Sequence, residues 1–300
     1  MKRLPYKLAQ NDFEFILCEL SGRLKKKKII NYLARQDNPD YMKIAKYLND
    51  NKVNVFPYKF TEQYKSSDIP IKKNRTSNLY YTKYNNFDIY LKPAFTNKYR
   101  AARYFKNILL EQDKHSPHRY TTEEFHPQKD SVILDIGGAE GFFPIDYIDA
   151  VKKVYIFECS NEWIQALKKT YKNYKDKVVI IKKFVSSYSD DTHISLDDFI
   201  KEKHLENDNL FIKIDAEGSE PDIIKGGSFL FSSKQSIQLA LCVYHCAWHE
   251  KYFRKLFHNW NICSSNGYML YYYDFYFSEP YVRTRGPKDM ELIYTKTLRF

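Results

Sequence analysis

Residues 132–143, VILDIGGAEGFF, decide the fold class of this chain. An apolar run typical of a buried strand leads into Asp135 and then into Gly137, Gly138 and Gly141. Glycine adopts unusual backbone angles and lets the backbone approach a ligand closely. A helix that begins after such a turn points free N–H groups at a carboxylate or phosphate. The segment therefore predicts a strand, a ligand-binding turn and a helix.

A second acidic residue, Glu158, ends the next predicted strand, 21 residues after Gly137. In a doubly wound sheet, a carboxylate at this place can bind both ribose hydroxyls of a nucleoside. The spacing GGxxG differs from the GxGxxG of dinucleotide-binding proteins, and Asp135 would repel a pyrophosphate. The pattern favours a sulfonium-bearing nucleoside cofactor, while a dinucleotide-dependent oxidoreductase stays open as an alternative.

From residue 131 onward, short apolar segments alternate with segments of helical periodicity. The predicted strands are 132–136, 154–157, 178–182, 210–214 and 237–243, and the predicted helices are 141–150, 161–173, 195–203, 219–226 and 247–258. This alternation predicts an α/β fold with a mostly parallel, Rossmann-like sheet and helices on both faces. Two further segments, 268–273 and 292–294, are predicted to add a terminal hairpin.

The first 120 residues have a different pattern. Helices are predicted over 11–35, 39–48 and 100–112, and a hairpin over LYYTKYNNFDIYL at 79–91. We therefore expect three parts: a basic, partly helical N-terminal region over 1–78, a connector with a hairpin and a helix over 79–120, and the α/β domain over 121–300.

Charge is distributed unevenly between these parts. The net charge is +11, and residues 1–120 hold 25 Lys and Arg against 11 Asp and Glu. The imbalance predicts either an acidic partner or a solvated basic surface. A nucleic-acid-binding protein is therefore a second alternative, although the sequence contains no recognisable nucleic-acid-binding module.

The remaining composition bears on location. Five cysteines, an odd number, favour free thiols. The sequence contains no apolar run long enough to span a membrane, and its N-terminus does not resemble a secretory signal. We expect a cytoplasmic protein without a transmembrane segment.

The motifs together resemble the FkbM family of methyltransferases. The similarity rests on DIGGAEGFF (135–143), YIFECSNEWIQALKKT (155–170), SLDDFI (195–200), FIKIDAEGSEPDIIKGG (211–227), LCVYH (241–245) and GYML (267–270). The segment EQDKHSPHRY (111–120) is also similar to members that act in surface-polysaccharide pathways. The resemblance covers roughly residues 90–285. The sequence departs from the family at Cys159, where many members have proline, and after His245.

The resemblance implies a function. It implies a class I methyltransferase fold for 121–300, S-adenosyl-L-methionine as cofactor with S-adenosyl-L-homocysteine as product, and methyl transfer to a sugar hydroxyl in bacterial capsule or lipopolysaccharide synthesis. A phosphorylated or nucleotide-linked glycan acceptor would suit the basic N-terminal region. The oligomeric state does not follow from the sequence.

The cofactor site is expected at the carboxyl ends of the first strands. It comprises Asp135, Gly137, Gly138, Ala139, Glu140, Gly141, Phe142, Glu158, Cys159, Val185, Ser186 and Asp215. Trp163 and Phe184 are further candidates for contacts with the adenine, unless Trp163 belongs to the core.

The catalytic candidates follow two neighbouring strands. His245 is the predicted general base because an unperturbed imidazole titrates near neutrality. Asp215 would orient His245 or bind the acceptor. The candidate acceptor contacts are Glu217, which would also support its loop, His118, Tyr120 and Arg283, the last in a loop together with Arg285.

A metal site is a weaker hypothesis. Cys242, His245, Cys246 and His249 are residue types that bind zinc. However, Cys242 lies in a predicted strand and is expected to point away from His245. We therefore predict no metal, and a divalent ion on Asp215 remains an alternative.

Overall fold

The computed structural model of the chain describes residues 12–271, 276–278 and 281–287, with side chains over 20–271 and 283–286. The N-terminal elements are α1 (Asp12–Ala34), α2 (Pro39–Asp50), β1 (Lys72–Lys73), β2 (Tyr80–Tyr84), β3 (Phe87–Tyr90) and α3 (Lys98–Glu111). Short 3-10 turns at Lys59–Gln63 and Ser66–Asp68 interrupt the irregular stretch before β1. The predicted helices and hairpin are confirmed; Asn85 adopts the positive φ of 50° that the tight hairpin turn requires.

Strands and helices then alternate. The elements are β4 (Val132–Ile136), β5 (Lys153–Phe157), α4 (Asn161–Thr170), β6 (Val178–Ile181), β7 (Phe184–Val185), β8 (His193–Ile194), α5 (Leu196–Lys203), β9 (Leu210–Ile214), α6 (Glu220–Lys225), α7 (Ser228–Ser232), β10 (Ile237–Cys242), α8 (His249–Leu256), β11 (Trp260–Ser264), β12 (Met269–Tyr271), β13 (Tyr276–Ser278) and β14 (Tyr281–Pro287). Serine side chains cap two helices: Ser160 accepts the Trp163 N–H, and Ser195 accepts the Asp198 N–H.

Seven strands form the central sheet in the order β11-β14-β10-β9-β4-β5-β6. The pairs from β10 to β6 are parallel, whereas β14 is antiparallel to β10 and β11. Within this sheet, the chain passes first through β4 and then outward through β5 to β6 at one edge. It then returns to β9, which lies on the other side of β4. Strand order therefore reverses between β4 and β9, which is where open α/β sheets bind ligands. The predicted Rossmann-like fold is confirmed.

The sheet has a buried cluster on each face because successive side chains of a strand point to opposite sides. Val132, Leu134 and Ile136 of β4 pack in the cluster that contains α5 to α8. Ile133 packs in the other cluster, with α3, α4 and the β2–β3 hairpin. Aromatic side chains of the connector therefore cover one face of the sheet.

Some local predictions were wrong. Residues 141–150 form a short 3-10 turn over Phe143–Tyr147, because Gly141 has a φ of +73°, which a helix does not allow, and Pro144 lies in the first turn. Arg283 and Arg285 lie in strand β14, which the predicted loop placement missed. Strand β11 was also missed. The predicted strand at 292–294 lies outside the described residues.

No helix in the described part of the chain has the length and apolar character needed to cross a bilayer.

Candidate functional site

A cavity of about 530 Å³ opens at the carboxyl ends of the parallel strands. Most of the predicted site residues line it: His118, Tyr120, Asp135, Gly137, Gly138, Ala139, Glu140, Phe142, Glu158, Cys159, Val185, Asp215 and Glu217. Gly141, Ser186, His245 and Arg283 are not among the lining residues. The volume is in the range of ordinary small-molecule sites, roughly 300–1,000 Å³.

A buried ion pair lies beneath the glycine loop. Lys213 Nζ is 3.0 Å from Asp135 Oδ1 and donates to the carbonyls of Gly137 (2.7 Å) and Ile136 (3.3 Å). Both charged side chains are at most 4% exposed. Burial lowers the pKa of Lys213, but the nearby carboxylates of Asp135 and Asp215 outweigh burial, so the pKa is raised. Lys213 thus stays charged and joins β9 to the loop that follows β4.

The glycine loop also packs directly against the loop after β9. Gly137 has a φ of +78°, and a Cβ placed on it would lie 1.9 Å from the carbonyl oxygen of Asp215. Only glycine allows this approach of the two backbones. The loops that follow β4 and β9 are therefore in direct backbone contact at Gly137, which has no side chain.

Glu158 joins the end of β5 to the glycine loop. One carboxylate oxygen accepts the Ala139 N–H at 2.9 Å, and the other accepts the Ser160 N–H at 2.7 Å. Burial raises the pKa of Glu158, and these backbone hydrogen bonds oppose the shift. The carboxylate lines the cavity with both oxygens oriented by the backbone.

Aromatic side chains form a wall of the cavity. The hydroxyl of Tyr104, from α3, donates to Glu140 Oε2 at 2.6 Å. The rings of Tyr104 and Trp163 are 5.8 Å apart, and Lys92 Nζ lies 5.1 Å from the Trp163 ring centre. Trp163 and Phe184 both line the cavity, while only 8% of Trp163 is exposed. Aromatic rings from α3, α4 and β7 therefore line this end of the cavity.

Asp215 is the central residue of a hydrogen-bonded group at the other end of the cavity. Its carboxylate accepts hydrogen bonds from the hydroxyls of Tyr120 and Tyr244, each 3.1 Å away. His118 Nε2 lies 3.3 Å from the same Tyr244 hydroxyl. Burial lowers the pKa of His118 to about 4. His118 is therefore a neutral imidazole near neutral pH.

His245 lies behind Asp215. Its Nε2 is 3.5 Å from Asp215 Oδ1, and its Nδ1 is 2.7 Å from Oε1 of Glu220, a fully buried carboxylate. Burial alone would lower the pKa of His245, but the bond to Glu220 and the charge of Asp215 raise it. The residue that orients the imidazole most closely is thus Glu220, at the start of α6.

Residues 160–270 match the sequence profile described as the Methyltransferase FkbM domain. This segment is an FkbM methyltransferase domain. The resemblance drawn from the sequence motifs is confirmed, and the strand order around the cavity is that of a class I methyltransferase. No curated protein matches the chain.

Several solved structures are similar to the chain. Methyltransferase FkbM from Methylobacillus flagellatus KT has 16% identity and a TM-score of 0.40, over 63% of this chain and 53% of that one. Precorrin-6y C5,15-methyltransferase from Geobacter metallireducens GS-15 has 16% identity and a TM-score of 0.37, over 55% and 84%. TrmK from M. capricolum, in complex with its cofactor product S-adenosylhomocysteine, has 15% identity and a TM-score of 0.35, over 54% and 64%. The chain thus spans about half the length of the Methylobacillus protein.

The structure corrects two of the placements predicted from sequence. Cys242 does not point away from His245: its Sγ lies 3.2 Å from His245 Nδ1, because β10 ends at Cys242 and the chain then bends back. Arg283 is 4% exposed, and its guanidinium donates to the backbone carbonyls of Arg119, Tyr120 and Ser264. This arginine fastens the segment before β4 to β14 rather than facing the cavity.

Three residues of the site were missed by the sequence analysis: Tyr104, Lys213 and Glu220. Lys213 had a usable signal, because a lysine within the apolar strand FIKI needs a buried counter-charge. Glu220 did not, since an acidic residue in the first turn of a helix is common. Its carboxylate also accepts the Ala216 N–H at 3.0 Å, which is the loop support expected of Glu217. Glu217 instead has a φ of 52° and a side chain that is 78% exposed.

Proposed function

We propose that the protein binds S-adenosylmethionine in this cavity and transfers its methyl group to a sugar hydroxyl. The observation that carries the proposal is the juxtaposition of Glu158 with the glycine loop. A carboxylate at the end of the second strand suits the two ribose hydroxyls, since it can accept both hydrogen bonds. The FkbM domain at 160–270 supports methyl transfer as the reaction.

The cofactor would extend along the carboxyl ends of β4 and β5. We place the ribose at Glu158 and the adenine between Trp163, Cys159 and Val185. The methionine part would then pass over the loop backbone at Gly137–Ala139. Asp135 contributes from beneath the loop, because its carboxylate is 1% exposed and paired with Lys213.

The methyl donor is already activated, so the protein must align the acceptor and remove a proton. In the proposed step, an acceptor hydroxyl oxygen displaces the sulfur at the methyl carbon. The new carbon–oxygen bond would form as the sulfur–carbon bond breaks, and the hydroxyl proton would pass by way of the Asp215 carboxylate to Nε2 of His245, which does not itself line the cavity. Asp215 would accept the hydroxyl hydrogen bond at the cavity surface, with His245 Nε2 3.5 Å behind it.

Glu220 and the tyrosines have supporting roles in this scheme. Glu220 would hold Nδ1 of His245 so that Nε2 faces Asp215. Tyr120 and Tyr244 would fix the Asp215 carboxylate through their hydroxyl groups. His118 stays neutral and can donate or accept a hydrogen bond with the acceptor without adding charge.

The acceptor we propose is a phosphorylated or nucleotide-linked sugar of a surface-glycan pathway. The exposed Glu217 at the cavity rim can bind sugar hydroxyls. The basic balance of residues 1–120 favours an acidic acceptor, and Lys25 to Lys28 on α1 contribute to it. The location we propose is the cytoplasm, where nucleotide-linked sugars and the cofactor are both present.

Calorimetry tests the cofactor half of this proposal. S-adenosylhomocysteine should bind, whereas NAD should not. Glu158→Ala should weaken the binding of S-adenosylhomocysteine by more than about 1.5 kcal/mol, because a charged hydrogen-bond acceptor is lost. Glu162→Ala is the matched control, since this carboxylate is exposed on the neighbouring helix α4 and should leave affinity unchanged. Tight binding of NAD, or equal affinity of the two variants, would contradict the assignment.

A further inference from the structure

Two side chains converge on one imidazole nitrogen beside the cavity. His245 Nδ1 lies 2.7 Å from Glu220 Oε1 and 3.2 Å from Cys242 Sγ. An imidazole nitrogen has either one proton or one lone pair to share, so it can make a good hydrogen bond to only one of the two. The carboxylate of Asp215 is next to them, and one ligand atom from each of these four residues lies within 4.8 Å of the others.

A fifth side chain, His249, shows that buried polar atoms in and around this cluster lack hydrogen-bond partners. His249 is fully buried, and neither of its ring nitrogens has a hydrogen-bond partner among the described residues. Its Nδ1 faces Glu220 Oε2 at 3.5 Å, and Oε2 is itself buried without a hydrogen bond. Buried polar atoms are paired in nearly all native structures, so two facing unpaired atoms need an explanation.

We propose that Cys242, His245, Glu220 and Asp215 form a binding site for a divalent ion of the zinc class. A thiolate, an imidazole and carboxylates are the ligands that zinc uses, whereas magnesium and calcium prefer oxygen alone. Bonds of about 2.0–2.3 Å in a tetrahedron separate the ligand atoms by roughly 3.3–3.6 Å. The 2.7 and 3.2 Å separations reach these values through side-chain shifts of well under about 1 Å. Asp215 lies on the Nε2 side of the ring, and separations of up to 4.8 Å within the set must shorten by up to about 1.5 Å when the ion binds.

The bound ion would give a partner to the ligand atom of each of the four residues. The Cys242 thiol loses its proton on binding, and His245 gives its Nδ1 lone pair to the ion while the ring proton moves to Nε2. Glu220 then shares its charge between the ion and His249, as carboxylates around metal sites often do. The ion-bound protein would be inactive, because a protonated Nε2 cannot accept the acceptor proton. This consequence rests on the proposed function, whereas the ion site does not.

Cobalt substitution tests the site. We expect the full chain, reduced and freed of metal by a chelator, to bind one Co²⁺ with a thiolate-to-cobalt charge-transfer band in the near ultraviolet. Zn²⁺ should remove the band by displacement. Cys242→Ser should abolish the charge-transfer band, while Cys263→Ser, which alters an exposed thiol on β11, should retain it.

Each result has one consequence. A wild-type protein that shows no thiolate band with Co²⁺ in excess overturns the site, and so does a band that survives Cys242→Ser. Glu220→Gln should weaken Co²⁺ binding at least tenfold, and unchanged affinity would also overturn it. S-adenosylhomocysteine binding, measured on the same samples, reports separately on the folded state and on the proposed function.

Discussion

The buried ion pair beneath the glycine loop gives the sharpest stability prediction. Lys213→Met keeps most of the side-chain volume but removes the ammonium that contacts Asp135 and two loop carbonyls. Asp135 is 1% exposed, so the substitution leaves a buried carboxylate without its counter-charge. Breaking one partner of such a pair costs about 3–5 kcal/mol. We expect the free energy of unfolding to fall by this amount.

Urea unfolding at neutral pH measures the loss. The matched control is Lys152→Met, which removes the ammonium from the Lys152–Asp208 pair, 2.6 Å apart but with the Lys152 side chain 57% exposed. Solvent screens that pair, and its removal should cost under about 1 kcal/mol. Adding Asp135→Asn to Lys213→Met should recover part of the loss, since the buried charge is gone. If Lys213→Met costs no more than Lys152→Met, the ion pair does not stabilise the loop.

Three further predictions concern the cavity. Gly137→Ala should weaken S-adenosylhomocysteine binding in calorimetry much more than Gly218→Ala. Both glycines have a positive φ, but only at Gly137 would an added Cβ meet a close neighbour, the Asp215 carbonyl oxygen at 1.9 Å, and push the two loops apart. Equal effects of the two substitutions would contradict this steric explanation. Folding lowers the pKa of His118 from 6.5 to about 4, so between these pH values the unfolded chain binds a proton that the folded protein does not. The free energy of unfolding should therefore be highest above pH 6.5 and should fall as the pH is lowered towards 4. Urea unfolding at several pH values should show a flatter pH dependence in His118→Asn, and identical curves would contradict the shift. His245→Ala should lower kcat roughly 10²–10⁴-fold with little change in cofactor affinity; near-normal kcat would remove it as the base.

The central sheet was predictable because its signals are local. The apolar run 132–136 and the glycines after it define a strand and a turn without reference to other segments. The strands at the far edge were not predictable in the same way. Strand β14 contains YVRTRGP, whose arginines are unusual in a buried strand. Arg283 is accommodated there because backbone carbonyls far away in sequence accept its hydrogen bonds.

The same distinction between local signals and contacts distant in sequence applies to the site. Most cofactor candidates follow directly from strand ends, and the structure places them around one cavity. The contacts of His245 do not follow, since Cys242 and Glu220 reach it only after the chain bends at the end of β10. Strand alternation predicted that Cys242 would point away, but alternation does not extend past the last residue of a strand. The division of the chain at residues 78 and 120 remains a prediction.

Transfer of an isotopically labelled methyl group tests the central claim most directly. The protein is incubated with S-adenosylmethionine that carries a deuterated methyl group and with a set of phosphorylated and nucleotide-linked sugars, and the products are fragmented in a mass spectrometer. We predict that the label appears on a sugar oxygen in the wild-type reaction and in the Glu162→Ala reaction, and that it is reduced in Glu158→Ala and His245→Ala. Label on a nitrogen or carbon atom, or equal transfer by all four proteins, would contradict the account.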